Sequence, residues 1–211
     1  IRMLLSRSGT ADFVPLVRVP ATQSHFISRV LDLGAMGVMV PMVESREQAR
    51  SIVDFAKYPP QGRRGTCFGI GHDDYRQDDI AGTMRSANAE GLIIAQIETV
   101  KGLEAVEEIA AVDGIDILWV GQFDLTTSMG IPGEFEHPRY KEALRAVLAA
   151  CERHRKAAGF MLTSAEQVDS YVALGFRAFM YWADLWIYQA ALKAGVREVR
   201  ERVKSCKRAR S

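Results

Sequence analysis

Short apolar segments alternate with amphipathic segments along almost the whole chain. The apolar segments are about four to eight residues long and carry few charges, which is typical of strands buried on both faces of a parallel sheet. The segments between them place apolar residues at helical spacing. The pattern predicts strands at residues 14–19, 37–41, 91–98, 115–120, 159–162 and 176–182. It predicts helices at residues 24–33, 46–57, 100–110, 138–158, 165–174 and 185–202.

Six strand–helix units fit either part of a closed barrel or an open sheet. A (β/α)8 barrel, or TIM barrel, needs eight units and usually about 250 residues, whereas this chain has 211 residues. Six units alone would leave two exposed edges on a buried sheet, which is costly. We therefore expect a single barrel domain over residues 1–211, formed by strands 3 to 8 of the barrel and the C-terminal helices.

This expectation implies that the first two βα units are missing from the sequence and that residues 1–6 end the helix before the third strand. The alternative is an open, doubly wound sheet of six strands. A nucleotide-binding domain of that type would have a glycine-rich loop after its first strand, and this chain lacks that loop.

Composition and charge exclude several classes of function. The net charge is +1, so no overall field attracts nucleic acid or an anionic membrane. No apolar run approaches the roughly 20 residues that span a bilayer. Cys67, Cys151 and Cys206 are odd in number and far apart, which argues against a disulfide framework and favours a reducing, cytoplasmic setting.

Two carboxylates follow neighbouring predicted strands at the points where these strands end. Glu98 ends one apolar strand, and Asp124 lies in the loop after the next. In a parallel barrel the working residues lie at the carboxyl ends of the strands, so we expect the two side chains to lie close together. Such a pair, with open positions left for water and substrate, suits Mg²⁺ or Mn²⁺. Either residue alone could instead cap the helix that follows it.

Arg18 is the second chemical signal, because it interrupts an apolar segment that we interpret as a buried strand. A buried arginine needs an anionic partner. That partner is either one of the two carboxylates or a substrate carboxylate or developing enolate. Since a dication and two carboxylates are together neutral, Arg18 would supply the positive charge that a 2-oxo acid anion requires.

Three other features receive structural interpretations. His72, Asp73 and Asp74 lie in a polar loop that we expect to be solvated. The basic residues between positions 197 and 210 fit a solvated helix end. The aromatic group formed by Tyr181, Trp182, Trp186 and Tyr188 fits either core packing or a subunit interface.

Several short segments in a fixed order carry a resemblance to a known family. They include residues 17–20 (VRVP), 40–44 (VPMVE), 58–65 (YPPQGRRG), 96–99 (QIET) and 121–126 (GQFDLT). In this order they resemble the HpcH/HpaI aldolase family, whose members include 4-hydroxy-2-oxoheptanedioate aldolase and 2-dehydro-3-deoxyglucarate aldolase. The resemblance covers nearly the whole chain.

The resemblance implies a metal-dependent, class II aldolase with the (β/α)8 fold. Such an enzyme is an aldehyde-lyase that cleaves or forms 4-hydroxy-2-oxo acids, giving pyruvate and an aldehyde through a metal-stabilised enolate. Glu98 and Asp124 would hold the divalent ion (Mg, Mn or Co), and Arg18 would be catalytic. Gln96, which would support metal-bound water, joins Gly121, Phe123 and Asp124 as a substrate-binding residue, and backbone N–H groups around Phe123 and Asp124 would hold the pyruvate carboxylate.

The resemblance also implies a homo-oligomer, a hexamer or trimer of dimers, whose last helices are exchanged between subunits. The family's early segment, with a catalytic histidine and its acidic partner, has no counterpart here. We therefore expect the general base to lie in that segment or to be a metal-bound water. The alternatives are a lyase for CoA thioesters or citrate-like substrates on the same barrel, and a catalytically silent protein that binds 2-oxo acids.

Overall fold

A computed structural model describes residues 13–73, 75–76 and 79–208 of the chain. Residues 1–12, where we predicted the end of a helix, lie outside the described residues, and so do Asp74 and residues 77–78 and 209–211. None of the helices in the described part is both long enough and apolar enough to cross a bilayer. Cys67, Cys151 and Cys206 are all free thiols.

Six parallel strands form one curled sheet in which each strand pairs with the next along the chain. The strands are β1 (Leu16–Arg18), β2 (Gly37–Val40), β3 (Leu92–Ile97), β4 (Ile117–Val120), β5 (Ala157–Leu162) and β6 (Ala178–Tyr181). A doubly wound sheet reverses its strand order at a switch point, and this sheet has no reversal. The open alternative is therefore wrong, and the architecture is a half-barrel. Its completion to eight strands stays a prediction.

Helices connect the strands and follow β6. They are α1 (Ser24–Asp32), α2 (Arg46–Ala56), α3 (Ile80–Glu90), α4 (Val100–Glu104), α5 (Val106–Ala110), α6 (Gln122–Ser128), α7 (Pro138–His154), α8 (Gln167–Leu174) and α9 (Asp184–Arg208). Ser45 begins α2 as an N-cap whose hydroxyl accepts a hydrogen bond from the Gln48 amide. Pro138 is the first residue of α7, a position where the missing N–H costs nothing.

One apolar core lies between the sheet and its helices. Val38, Ile93, Leu118 and Phe160 point into it from β2, β3, β4 and β5, and none is more than 2% exposed. Successive residues of a strand point to opposite faces, so every second residue is left for the other face of the sheet.

That other face carries the residues with chemical functions. Arg18 pairs with Met39, and Met39 pairs with Ile94, so all three share one face of the sheet. Gln96 lies two residues beyond Ile94 and therefore points the same way. The strand register thus places the guanidinium of β1 and the amide of β3 on the face opposite the helical core.

Most predicted elements are confirmed, with four differences. The predicted helix 100–110 is broken at Ala105 into α4 and α5. The predicted helix 138–158 ends at His154, because Arg155 adopts a left-handed conformation (φ 54°) and β5 begins at Ala157. Residues 58–90, left without elements by the sequence pattern, contain a 3-10 turn at Gly71–Asp73 and helix α3. The loop predicted after β4 contains helix α6.

The interpretation of β1 as a buried strand is wrong. β1 is an edge strand of the described sheet, and Leu16 is 44% exposed. Arg18 is also exposed, and within the described residues it has no carboxylate close enough for an ion pair. Burial therefore does not force Arg18 to find an anionic partner, and only its position on the sheet relates it to the two acids.

Candidate active site

Glu98 is a buried carboxylate at the carboxyl end of β3. Its side chain is held by two donors, the main-chain amide of Met42 (2.8 Å to Oε1) and Nε2 of Gln96 (2.6 Å to Oε2). The residue is only 4% exposed, and a buried carboxylate requires such partners. The apolar strand Leu92–Ile97 thus places Glu98 at the end of the sheet, and the two donors fix the orientation of its carboxylate.

Neither acid is the N-cap of the helix that follows it. Thr99 caps α4, since its hydroxyl accepts a hydrogen bond from the Gly102 amide (3.0 Å). Helix α6 begins at Gln122 with Gly121 as its N-cap, so Asp124 lies within the first turn. Capping therefore explains the presence of neither Glu98 nor Asp124, and that alternative is wrong.

Asp124 and Arg18 both lie close enough to Glu98 to affect its ionisation. Burial is the main cause that raises the pKa of Glu98 above its usual value of 4.5, and the amide of Met42 opposes it. The charge of Asp124 and a hydrogen-bonding contact between the two side chains raise this pKa further, whereas the charge of Arg18 lowers it. A strongly desolvated acid beside a second acid marks a candidate functional site.

Gly121 lies against Glu98 so closely that no larger residue fits there. A β-carbon at position 121 would lie 2.6 Å from Cβ of Glu98 and 2.9 Å from Nε2 of Gln96. Gln96 is buried, and its Oε1 has no hydrogen-bond partner among the described residues. A buried acceptor without a partner is usually satisfied by a ligand or a water. Oε1 of Gln96 is therefore an acceptor available to a ligand or water near Glu98.

Phe123 and Gln122 occupy different positions at the start of α6. Phe123 is half exposed and contacts Phe135 edge-on, with ring centroids 5.2 Å apart. Gln122 is buried, and its Nε2 donates to the carbonyl of Met161 (3.3 Å). Phe123 and Asp124 thus face outward at the strand ends, where substrate-binding residues were predicted, but no contact in the structure assigns them that role.

The main-chain contribution of Met42 was not predicted from the sequence. This residue has a left-handed conformation (φ 52°) that turns its amide toward Glu98. Only the position of Met42 after a strand could have drawn attention to it, because the side chain plays no part in the contact. Of the described residues, no three histidine, cysteine, aspartate or glutamate side chains converge as a metal cluster, so an ion here would rest on two carboxylates.

A cavity with mainly apolar walls lies at the opposite end of the strands. It has a volume of about 700 Å³, and its walls include Gly34, Leu92 and His72. His72 lies within hydrogen-bonding distance of the Tyr58 hydroxyl (3.3 Å), and burial lowers the pKa of its imidazole. The interpretation of this segment as a solvated loop is therefore wrong for His72. The cavity is nevertheless remote from Glu98, since its walls include the residues that precede β2 and β3 rather than those that follow them.

Comparison with known proteins identifies the family to which this half-barrel belongs. The model of the family described as HpcH/HpaI aldolase/citrate lyase matches residues 5–186. The chain belongs to the HpcH/HpaI aldolase/citrate lyase family. The resemblance inferred from the short segments is thereby confirmed, and the paired acids lie in the part of the chain that the family model covers.

Individual relatives of the HpcH/HpaI family agree with this assignment. A hydroxypyruvate/pyruvate aldolase of Roseobacter denitrificans is 34% identical over 80% of this chain and 65% of its own length. A 4-hydroxy-2-oxovalerate aldolase of Novosphingobium aromaticivorans is 37% identical over 96% of this chain and 76% of its own. The crystal structure of an HpcH/HpaI aldolase from Desulfitobacterium hafniense has a TM-score of 0.89, with 34% identity over 95% of this chain and 77% of that one. The chain thus spans about two thirds to three quarters of each relative.

Proposed function

We propose that this protein is a divalent-metal-dependent aldolase that cleaves or forms 4-hydroxy-2-oxo acids, giving pyruvate and an aldehyde. The observation that supports the proposal is that the strand ends carrying the two acids adjoin, since Gly121 lies against Glu98, and that Asp124 and Arg18 both affect the ionisation of Glu98. Relatives named as aldolases of pyruvate and of a 2-oxo acid support the same chemistry. In a barrel, this edge of the sheet is where catalytic residues lie.

The donor set fits a hard divalent cation. Glu98 and Asp124 would hold the ion, since carboxylate oxygens are the ligands that Mg²⁺ and Mn²⁺ prefer. The absence of a side chain at Gly121 leaves room for the side chain of Glu98 at the strand end. When bound, such an ion would act as a Lewis acid that polarises the carbonyl oxygen of a pyruvate unit.

The remaining residues would bind and orient the substrate. Arg18 would place a fixed positive charge beside the oxygen on which negative charge develops. Gln96 would accept a hydrogen bond from a water or substrate hydroxyl through Oε1, which no described residue contacts as a donor. The first amides of α6, around Phe123 and Asp124, have no acceptor within the helix and would receive the substrate carboxylate above the Gly121 cap.

A second copy of the chain is the partner we propose for α9. Its exposed apolar residues recur at helical spacing along one face. They are Leu185, Tyr188, Leu192, Val196, Val199 and Val203. Tyr181 and Trp186 are also exposed, so core packing does not explain the aromatic group. A homo-oligomer with exchanged C-terminal helices, a hexamer or trimer of dimers, would cover this face. A cytoplasmic location stays a prediction.

Pyruvate release tests the catalytic proposal. The protein is incubated with a series of 4-hydroxy-2-oxo acids, with Mg²⁺, Mn²⁺ or Co²⁺ or with excess EDTA, and pyruvate is measured with a coupled dehydrogenase. We expect activity with at least one ion and its loss in EDTA. Full activity in EDTA would refute the metal role. Cleavage of a citryl thioester without pyruvate release would favour the citrate-lyase branch of the family instead.

A further inference from the structure

Both main-chain polar groups of Met42 are held by side chains. Its amide donates to Oε1 of Glu98 (2.8 Å), and its carbonyl accepts a hydrogen bond from Nε2 of Gln48 (3.0 Å). Met42 has a left-handed backbone (φ 52°), a conformation that is strained for a residue with a side chain and persists only where its surroundings enforce it. The contacts around Met42 therefore keep its amide aimed at Glu98.

Gln48 uses every polar group of its side chain to hold the segment before α2. Its Oε1 accepts from the Glu44 amide (2.9 Å), and its Nε2 donates to the Thr22 hydroxyl (2.8 Å) as well as to Met42. Only an uncharged amide side chain can both accept from Glu44 and donate to a carbonyl and a hydroxyl. Gln48 thus connects the loop before α1, the loop after β2 and the first turn of α2.

The same loop is attached directly to the end of β3. The Val43 amide donates to the carbonyl of Gln96 (3.1 Å), and the Thr99 hydroxyl donates to Oε1 of Glu44 (2.9 Å). A shift of residues 41–44 would therefore be transmitted to the strand end that carries Glu98. None of the hydrogen bonds of the Gln48 side chain goes to Glu98, so Gln48 would act on Glu98 through Met42.

We propose that Gln48 is a positioning residue for Glu98: it holds the Met42 carbonyl and thereby fixes the strained Met42 backbone, so that the Met42 amide keeps the carboxylate in the orientation that binds the cation. This inference rests on the proposed function. Partners of metal ligands commonly contribute about 10-fold to 100-fold in metal affinity. Gln48 would contribute through the intervening backbone of Met42, so we expect an effect at the lower end of this range.

Two substitutions at Gln48 test the inference, each with a matched control. Gln48→Glu keeps the acceptor for the Glu44 amide and suits the third position of a helix, but it cannot donate to Met42. Gln48→Leu removes all three hydrogen bonds. Ser45→Ala removes the hydroxyl that caps α2 and leaves the Gln48 side chain in place. Ser51→Ala removes an exposed hydrogen bond further along the same helix.

Two measurements are made on all variants. Binding of Mn²⁺ alone is followed by the loss of its free-ion electron paramagnetic resonance signal. Hydrogen–deuterium exchange without metal is followed by mass spectrometry for peptides containing residues 41–44. We expect about tenfold weaker Mn²⁺ binding in both Gln48 variants and about fivefold faster exchange of the Met42 amide. Neither value should change by more than about twofold in Ser45→Ala or Ser51→Ala.

The outcomes separate this inference from the function on which it rests. Unchanged exchange in Gln48→Glu overturns the positioning role, whatever happens to metal binding. Faster exchange with unchanged Mn²⁺ affinity also overturns it, because the loop would then move without affecting the site. If the unmodified protein binds no Mn²⁺, the metal proposal fails, and the exchange of the Met42 amide alone decides whether Gln48 holds this loop. An equal loss of Mn²⁺ affinity in Ser45→Ala would assign the effect to helix stability and overturn the specific role.

Discussion

Gly121 and Glu98 lie so close together that the space for a β-carbon at position 121 is already taken by the glutamate side chain. Such a β-carbon would be 2.6 Å from Cβ and 2.7 Å from Oε2 of Glu98. The ends of β3 and β4 are therefore packed against each other at these two residues, with no room for an additional side-chain atom. The orientation of the buried acid depends on the absence of a side chain on the neighbouring strand end.

Gly121→Ala should displace Glu98 and abolish metal-dependent activity while leaving the fold intact. Displacement of a catalytic group by about 1 Å commonly costs on the order of 100-fold in rate, so we expect a loss of that size or greater in kcat/KM. Gly65→Ala is the matched control, because an added β-carbon there meets no atom within 4 Å. Circular dichroism checks the fold. Wild-type activity in Gly121→Ala would show that activity does not depend on the position of Glu98 beside residue 121.

Glu98→Gln should separate stability from function. The introduced amide can accept from Met42 through its oxygen and donate to Gln96 if the Gln96 amide turns over, since Oε1 of Gln96 has no partner among the described residues. The polar contacts are then kept and the charge is lost. We expect a loss of at least about 100-fold in metal-dependent activity, measured as pyruvate release, together with a normal circular dichroism spectrum.

The difference in stability between Glu98→Gln and the wild type should depend on pH. Burial raises the pKa of Glu98 above 4.5, so the folded protein holds this proton more tightly than the unfolded chain does. The carboxyl group therefore destabilises the fold increasingly as pH rises above about 4.5 and not below it. In EDTA, Glu98→Gln should unfold at the same temperature as the wild type or higher at about pH 7, and this difference should shrink at about pH 4. If Glu98→Gln were much less stable than the wild type at neutral pH, the pKa of Glu98 would not be raised by folding.

The sheet could be predicted from sequence because its central strands obey one simple rule. Ile93, Ala95 and Ile97 are fully buried among apolar neighbours, and such strands read as continuous apolar runs. Glu98 and Asp124 could be found for a related reason, since a charge that directly follows an apolar run marks a strand end. The edge strand β1 was harder, because Arg18 sits in an apolar run and is nevertheless exposed.

Features that depend on main-chain geometry could not be read from the sequence. The Met42 amide reaches Glu98 through a left-handed turn at a residue type that seldom adopts one. Gln48 looks like an ordinary polar residue of an amphipathic helix until its three partners are known. Helix α3 was missed because its sequence, Ile80–Glu90, has a weak apolar face and no fully buried residue. The Met42 turn, the hydrogen bonds of Gln48 and the formation of α3 all depend on contacts between residues distant in sequence, which local propensity does not predict.

Arg18→Ala should reduce activity without destabilising the protein. The side chain is exposed and has no ion pair within the described part of the chain, and substitutions of this kind usually change stability by less than about 0.5 kcal/mol. Its charge nevertheless reaches Glu98. We expect kcat to fall by about 100-fold, with partial recovery in Arg18→Lys, which restores the charge but not the planar fork. Steady-state kinetics measures the fall in kcat, and urea unfolding measures the stability. An unaltered kcat in Arg18→Ala would show that Arg18 is not catalytic.

Charges on the apolar face of α9 should change the oligomeric state. Leu192 and Val199 are both exposed on this face, at 53% and 62%, and contribute to the same apolar groove. If a second copy covers them, the Leu192→Lys, Val199→Lys double variant should bury two unpaired ammonium groups at the interface, which is strongly unfavourable. Sedimentation velocity should show a smaller species. Lys193→Glu, which exchanges one charged residue for another on the same helix, should leave the sedimentation coefficient unchanged. A double variant that sediments like the unmodified protein would exclude α9 from the interface. If the smaller species still binds Mn²⁺ as tightly as the wild type, assembly is not needed to form the carboxylate pair.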